Sequence, residues 1–312
     1  MLMNNRVIIS GANGFIGSNI VSELIASNCP VTAIVQNSSN TEGLKKIKCY
    51  NILNTNNYLD PAIVRKLSIS RPKHFIHCAW SNNQIINTKK TIQAVELAKS
   101  LNCKSFITLG TYEEYGYNKQ ELSESLICNP KTELGKIKFS LYLLCKSICD
   151  SLDLNYCHVR LSLPYSVKDD DDFYFTKVIK ALSRGDRPIF ENPFNAKDFI
   201  HASDIARGII ALMKNNSEGI FNIGFGEAVQ NKILLNMIFE EFNKKIKFDD
   251  ASLEMKDNNV SFSLSNKKIY EQTRWKPSIS IWDGLLMLVN ENKFNSKANL
   301  TEFTNRIRSL YR

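Results

Sequence analysis

The stretch VIISGANGFIG, residues 7–17, decides the fold. Residues 6–10 are mostly β-branched and apolar, which suits a strand buried on both faces of a parallel sheet. Gly11, Gly14 and Gly17 follow at i, i+3 and i+6. That spacing lets the backbone turn tightly, approach an anion and pack the next helix close to the sheet. A helix is expected from about Phe15 to Ser27, with Ile16, Ile20 and Leu24 on one face. Its first N–H groups then point at a pyrophosphate. The candidate anion-binding residues are Gly11, Asn13, Gly14, Phe15, Ile16 and Gly17.

The same alternation continues outward. Further strands are expected at Val31–Val35, Ile47–Tyr50, His74–Ala79, Ser105–Gly110 and Tyr156–Ser162. Helices are expected at Pro61–Leu67, Gln84–Leu101 and Pro130 to about Leu152. Repeated strand-helix units of this kind build a doubly wound parallel sheet of Rossmann type, with ligands at the carboxyl ends of the strands. Those ends hold Gln36 and Asn37, Asn51 and Ile52, Ala79 and Trp80, Thr111, and Leu161. Beyond Pro164 the pattern loosens. Asp169–Asp172 is expected to be an exposed loop and Phe173–Arg184 a helix. Asp198–Ile200, Ser203–Met213 and Ile220–Gly224 are expected to return to the main sheet, and Ala228–Phe242 to be one helix. The tail from Asn295 is polar and suits a terminal helix. The expected organisation is a dinucleotide-binding unit of residues 1–163, joined again by 198–226. A smaller C-terminal substrate-binding lobe of residues 164–197 and 227–312 completes it.

The chain has 312 residues, with 43% hydrophobic and 23% charged. That composition is ordinary for a globular protein and offers no run long enough to span a membrane. The eight cysteines are scattered, without CxxC pairs or metal-ligand spacing, so no metal site is expected. Free buried thiols and the absence of a visible signal peptide point to the cytoplasm. The net charge is +9. Its lysines are spread rather than grouped among aromatics, which argues for a phosphorylated small ligand and against nucleic acid.

Seven blocks in order resemble the extended short-chain dehydrogenase/reductase family of nucleotide-sugar epimerases, dehydratases and reductases. They are SGANGFIG at 10–17, HCAW at 77–80, NTKKTIQAVELA at 87–98, GTYEEYG at 110–116, VRLSLPYS at 159–166, KDFIHASDIARGI at 197–209 and RWKPSISIWDGL at 274–285. Within that family, EMKDNNVSFS at 254–263 and the WKP block look similar to the CDP-abequose and CDP-paratose synthases. The resemblance implies NAD or NADP as cofactor. The second strand ends in neither an acid nor an arginine, which tips the reading towards NADP. It further implies that Ala79 and Trp80 line the cofactor, that Asn87 orders the active-site loops, and that Lys138 holds the nicotinamide ribose. Thr111 would bond a sugar oxygen, and Lys256 would meet the sugar's diphosphate. A homodimer is implied, paired through the helices at 84–102 and 134–152, with Ile92, Val95, Phe139, Tyr142 and Leu143 as its apolar contacts.

Family chemistry rests on a Tyr-x-x-x-Lys pair, and here the matching block NPKTELGKIK, residues 129–138, has Leu134 in the tyrosine's place. Tyr142-x-x-x-Lys146 has the same internal spacing. However, Tyr142 lies eight residues along the helix, roughly 12 Å further from the sheet's carboxyl edge and about 80° round the axis. It is expected to be a half-buried packing aromatic. Tyr112 and Glu113, directly after Thr111, are then the candidate proton carriers, joining Thr111 and Lys138 as catalytic candidates; Thr111 with an ordered water is the other route, for a slower or different reaction. Leu163 stands where relatives place a sugar-contacting Asn. The expected function is an oxidoreductase or epimerase acting on a nucleotide-linked deoxyhexose, most sharply a 4-ketoreductase for surface-polysaccharide sugars. The alternative is a catalytically impaired member that binds cofactor and sugar nucleotide in a regulatory role.

Overall fold

The computed structural model describes residues 6–49, 51–116, 121–166, 173–190, 192–246 and 261–295. The chain begins β1 (Val7–Ser10), α1 (Phe15–Ala26), β2 (Val31–Val35), α2 (Glu42–Lys46), β3 (Ile52–Asn54), α3 (Pro61–Ser70), β4 (His74–His77), α4 (Gln84–Ser100) and β5 (Ser105–Thr111). A single 3-10 turn, Tyr112–Tyr115, leads to β6 (Glu121–Leu122), α5 (Glu133–Ser151), β7 (Asn155–Leu161) and β8 (Leu163–Tyr165). Then come α6 (Tyr174–Arg184), β9 (Ala196–His201), α7 (Ala202–Lys214), β10 (Gly219–Ile223), β11 (Ala228–Gln230), α8 (Asn231–Glu241), β12 (Ser263–Leu264), α9 (Lys267–Thr273) and α10 (Ile281–Asn295).

Seven strands form one parallel sheet in the order β10-β7-β5-β4-β1-β2-β3. The order reverses between β1 and β4, and the crevice at such a switch point is where doubly wound sheets bind ligands. Both faces of the sheet are covered, which is why its strands read as apolar runs. On one face α1 and α7 close a core that includes Val7, Ile9, Ile205, Ile209 and Trp275. On the other, α4 and α5 cover Ile8, Phe75, Phe106 and Tyr156. A third cluster joins α6, α8 and α10 around Phe175, Phe199, Leu235 and Leu285.

Three expectations of secondary structure are corrected. Residues 47–49 are not a strand. Asn40 Oδ1 accepts from the Glu42 N–H, the short α2 forms, and Ile47 is its C-terminal cap packed on the core. The third strand is Ile52–Asn54, paired with β2. The expected helix at 228–242 is divided, because Ala228–Gln230 pair antiparallel with β9 before α8 begins. Asp198–Ile200 lie in a separate three-stranded sheet, β11-β9-β8, rather than in the main one. The buried Asp198 carboxylate explains that placement, since it accepts from the N–H groups of Phe225, Gly226 and Leu264. The acidic run 169–172, Lys256 and the tail from residue 296 lie outside the described residues.

Among the described residues, no helix is long and apolar enough to cross a membrane. All eight cysteines are free. Of the residues expected at a chain-to-chain contact, Val95 is buried within its own chain, whereas Leu143 is exposed.

Candidate functional site

The glycine turn is built as its spacing suggests. Gly11 adopts φ +69°, and a Cβ there would lie 2.5 Å from the Ala79 nitrogen. A Cβ on Gly17 would lie 2.1 Å from the Gly11 carbonyl oxygen, so β1 and α1 approach closely only because both side chains are hydrogen. Gly14 caps α1 in extended backbone with no side-chain hydrogen bond. The first-turn N–H groups of α1 therefore remain suited to an anion.

A cleft of about 270 Å³ opens over this turn at the switch point. Gly11, Asn13, Gly14, Gln36, Ala79, Trp80 and Asn87, all candidate cofactor residues, line it. Phe15 and Ile16 begin α1 beside it, and Ile16 packs on the core. The structure does not bring every expected residue there. Leu161 is buried in the core, Ile52 packs on that core from β3, and the Asn51 carbonyl is spent on strand pairing with the Ala33 N–H. The Asn37 N–H donates to Asn56 Oδ1. Ser39, which follows the second strand with Gln36 and Asn37, also lines the cleft, and sequence reasoning missed Tyr58 and Lys90 beside it. Lys90 follows Asn87 by three residues on α4, so helical spacing from Asn87 could have found it. Its ammonium lies 4.4 Å from the Tyr58 ring centroid.

Asn87 is almost wholly buried and holds the segment after β4. Its Oδ1 accepts from the Ser81 N–H at 2.8 Å, and its Nδ2 donates to the Ser81 carbonyl at 2.8 Å. Beneath it, buried His77 bridges Ser10 and Thr91, and burial pushes its imidazole down to about 3, so it is neutral at pH 7.

Thr111 ends β5 and caps the 3-10 turn, its Oγ1 accepting from the Glu113 N–H. The two acids that follow face opposite ways. Glu113 is half-buried and accepts from the Thr132 hydroxyl, which also caps the N-terminus of α5. Glu114 is 0% exposed. Its carboxylate accepts from the Thr111 N–H at 2.9 Å and Arg160 Nε at 2.8 Å, and meets His158 Nε2 at 3.0 Å. Burial opposes its ionisation, but His158 and Arg160 outweigh burial and hold it down to about 2. Sequence reasoning did not single out Glu114, His158 or Arg160. The Tyr112 ring stacks on Phe262 with centroids 4.0 Å apart. Leu163 packs against the same small cluster, giving the ground beside Thr111 an apolar wall.

On α5, Leu134 is the second residue and Lys138 lies one turn further in. Lys138 Nζ donates to the Leu109 carbonyl at 2.8 Å and sits 3.5 Å from the Trp80 ring centroid. Burial pushes this ammonium down to about 8. Tyr142 is another turn on, half-buried, with its ring 4.8 Å from that of His158. It packs rather than facing the cleft. Under Lys138 a cavity of about 20 Å³ is bordered by His77, Thr108 and His158. That volume is room for about one water molecule.

Comparison with known proteins gives the same fold and one family. A profile described as the NAD dependent epimerase/dehydratase family matches residues 7–224. CDP-abequose synthase of Salmonella typhimurium is 20% identical over 91% of this chain and 97% of its own length. The dTDP-4-dehydro-6-deoxyglucose reductase of Escherichia coli is 24% identical over 91% and 96%. Among solved structures, dTDP-glucose 4,6-dehydratase from Bacillus anthracis in complex with NAD superposes with a TM-score of 0.80 at 18% identity. The match covers 94% of this chain and 97% of that one.

Proposed function

The chain belongs to the NAD dependent epimerase/dehydratase family, and on that premise we propose that it reduces the 4-keto group of a nucleotide-linked deoxyhexose. The observation that carries the reading is the glycine turn after β1 opening on a cleft at the switch point, with Trp80, which covers Lys138, on its wall and Thr111 at the end of β5. NAD is the cofactor that the family's description names, and the fit is good. Side chains on Gly11 and Gly17 would close the turn that receives the pyrophosphate, while Gln36 and Ser39 offer neutral partners for the adenosine ribose. Lys138 would hold the nicotinamide ribose. The bound nicotinamide supplies the hydride.

The remaining work falls to this chain's side chains. Thr111 donates a hydrogen bond to the sugar oxygen. Leu134, in the place of the family's tyrosine, cannot hand over a proton. Glu113 or Tyr112, next to Thr111, takes that part. The apolar wall of Leu163, Tyr112 and Phe262 suits a sugar that has lost hydroxyls, since a buried polar site would penalise missing partners. The similarity to a dTDP-4-dehydro-6-deoxyglucose reductase supports the same substrate class. Leu134 and Leu163 together favour one second reading, a member that binds cofactor and sugar nucleotide without turnover.

The test is turnover of 4-keto sugar nucleotides followed by loss of NADH absorbance. Thr111→Ala and Glu113→Gln are each expected to lower kcat by on the order of 100-fold, with Tyr112→Phe separating the two proton carriers. If both Thr111→Ala and Glu113→Gln turned over at the wild-type rate, these roles would be wrong. A wild-type protein that binds NADH and transfers no hydride to any such substrate would favour the second reading.

A further inference from the structure

Trp80 stands where β4 gives way to the cleft, and its side chain is 36% exposed. One face of its indole covers the Lys138 ammonium, and the ring also walls the cleft off from the one-water cavity beneath. An ammonium has three donors and needs a partner for each when taken out of water. The Leu109 carbonyl supplies one. Lysine's flexible four-carbon stem would otherwise let the charge swing back to solvent. The face of an aromatic ring, electron-rich through its quadrupole, is a partner that needs no hydrogen-bond geometry.

We propose that Trp80 is the positioning residue for Lys138, its indole face fixing the ammonium behind the wall that the ring forms in the dinucleotide cleft. The inference rests on Lys138 serving the cofactor and not on which side chain carries the proton.

The pair supplies its own reporter, because a charge over an indole changes its emission. The ionisable groups around it are His77 on β4 and Cys78 just after it, Lys90 on α4, Glu114 after β5, and His158 on β7. Burial holds His77 down to about 3 and Cys78 up to about 12, and Glu114 is held to about 2. Those three keep one charge state between pH 6 and 10. Lys90 and His158 are controlled by a variant that changes Lys138 alone.

The experiment subtracts the emission of Trp80→Phe from that of the cofactor-free wild type, which removes Trp275 and Trp282 from the signal. A single-proton transition near pH 8 is expected, and it should vanish in Lys138→Met. A flat difference spectrum, or the same transition in Lys138→Met, overturns the proposal. In parallel, calorimetry with NAD should show Trp80→Phe close to wild type and Trp80→Leu about tenfold weaker. A folded Trp80→Leu that binds NAD as tightly as wild type also overturns it. Absence of ketoreductase turnover leaves the emission transition in place, so the two readings fail separately.

Discussion

Glu114→Gln tests how the site is held. The substitution keeps the shape of the side chain and removes its charge. The Arg160 guanidinium, 1% exposed, then faces a neutral amide. Removing one partner of a buried ion pair costs about 3–5 kcal/mol. The titration of Glu114 gives a second figure. Its carboxyl is held at about 2 in the folded chain against an ordinary 4.5. That gap, at about 1.4 kcal/mol per pH unit, is about 3 kcal/mol at neutral pH.

The two routes agree, and the second adds a sign. A carboxylate with a lowered pKa stabilises the fold fully above its unfolded value and loses that contribution as pH falls towards the folded one. By pH 3, about 2 of the 3 kcal/mol should be gone. Urea unfolding of wild type and Glu114→Gln, followed by circular dichroism, should therefore show a wide gap at pH 7 that narrows at pH 3. A gap under about 1 kcal/mol at pH 7, or one equally wide at pH 3, would refute the reasoning.

Leu134→Tyr places a phenol one helical turn before Lys138, and NADH oxidation with a 4-keto sugar nucleotide should rise by on the order of 100-fold. A fall in rate would show that the wild-type chemistry depends on leucine there. A homodimer paired through α4 and α5 fits their exposed Ile85, Ile86, Leu143 and Leu144. Sedimentation equilibrium should give twice the chain mass for wild type and the single mass for Leu143→Asp; a monomeric wild type would sink the pairing.

What the sequence made legible was local. Gly11, Gly14 and Gly17 state their geometry through spacing, and the register of Leu134 and Lys138 follows from where a helix starts. Thr132 does cap that helix, with Glu133 as its first residue. What stayed hidden depends on distant segments or on a single turn. Glu113 and Glu114 are neighbours in sequence, and only the 3-10 turn decides that Glu114 points inward to Arg160 while Glu113 meets Thr132. Phe262 reaches Tyr112 from 150 residues away. The strand at 228–230 is three residues long, too short for an alternating pattern to stand out beside the helix that follows.

The order of the main sheet bears on how the protein is made. Its edge strand, β10, is reached only after the chain has left to form β8 and β9, and Ile269 and Trp275 finish a core that Val7 and Ile9 begin. A nascent chain halted after β7 would present that strand as an open edge, a template for pairing with other chains. The first glycine turn therefore waits for nearly the whole length to be synthesised before its supporting core is closed. Long-range closure of this kind slows folding and lengthens the interval in which chaperones have a target.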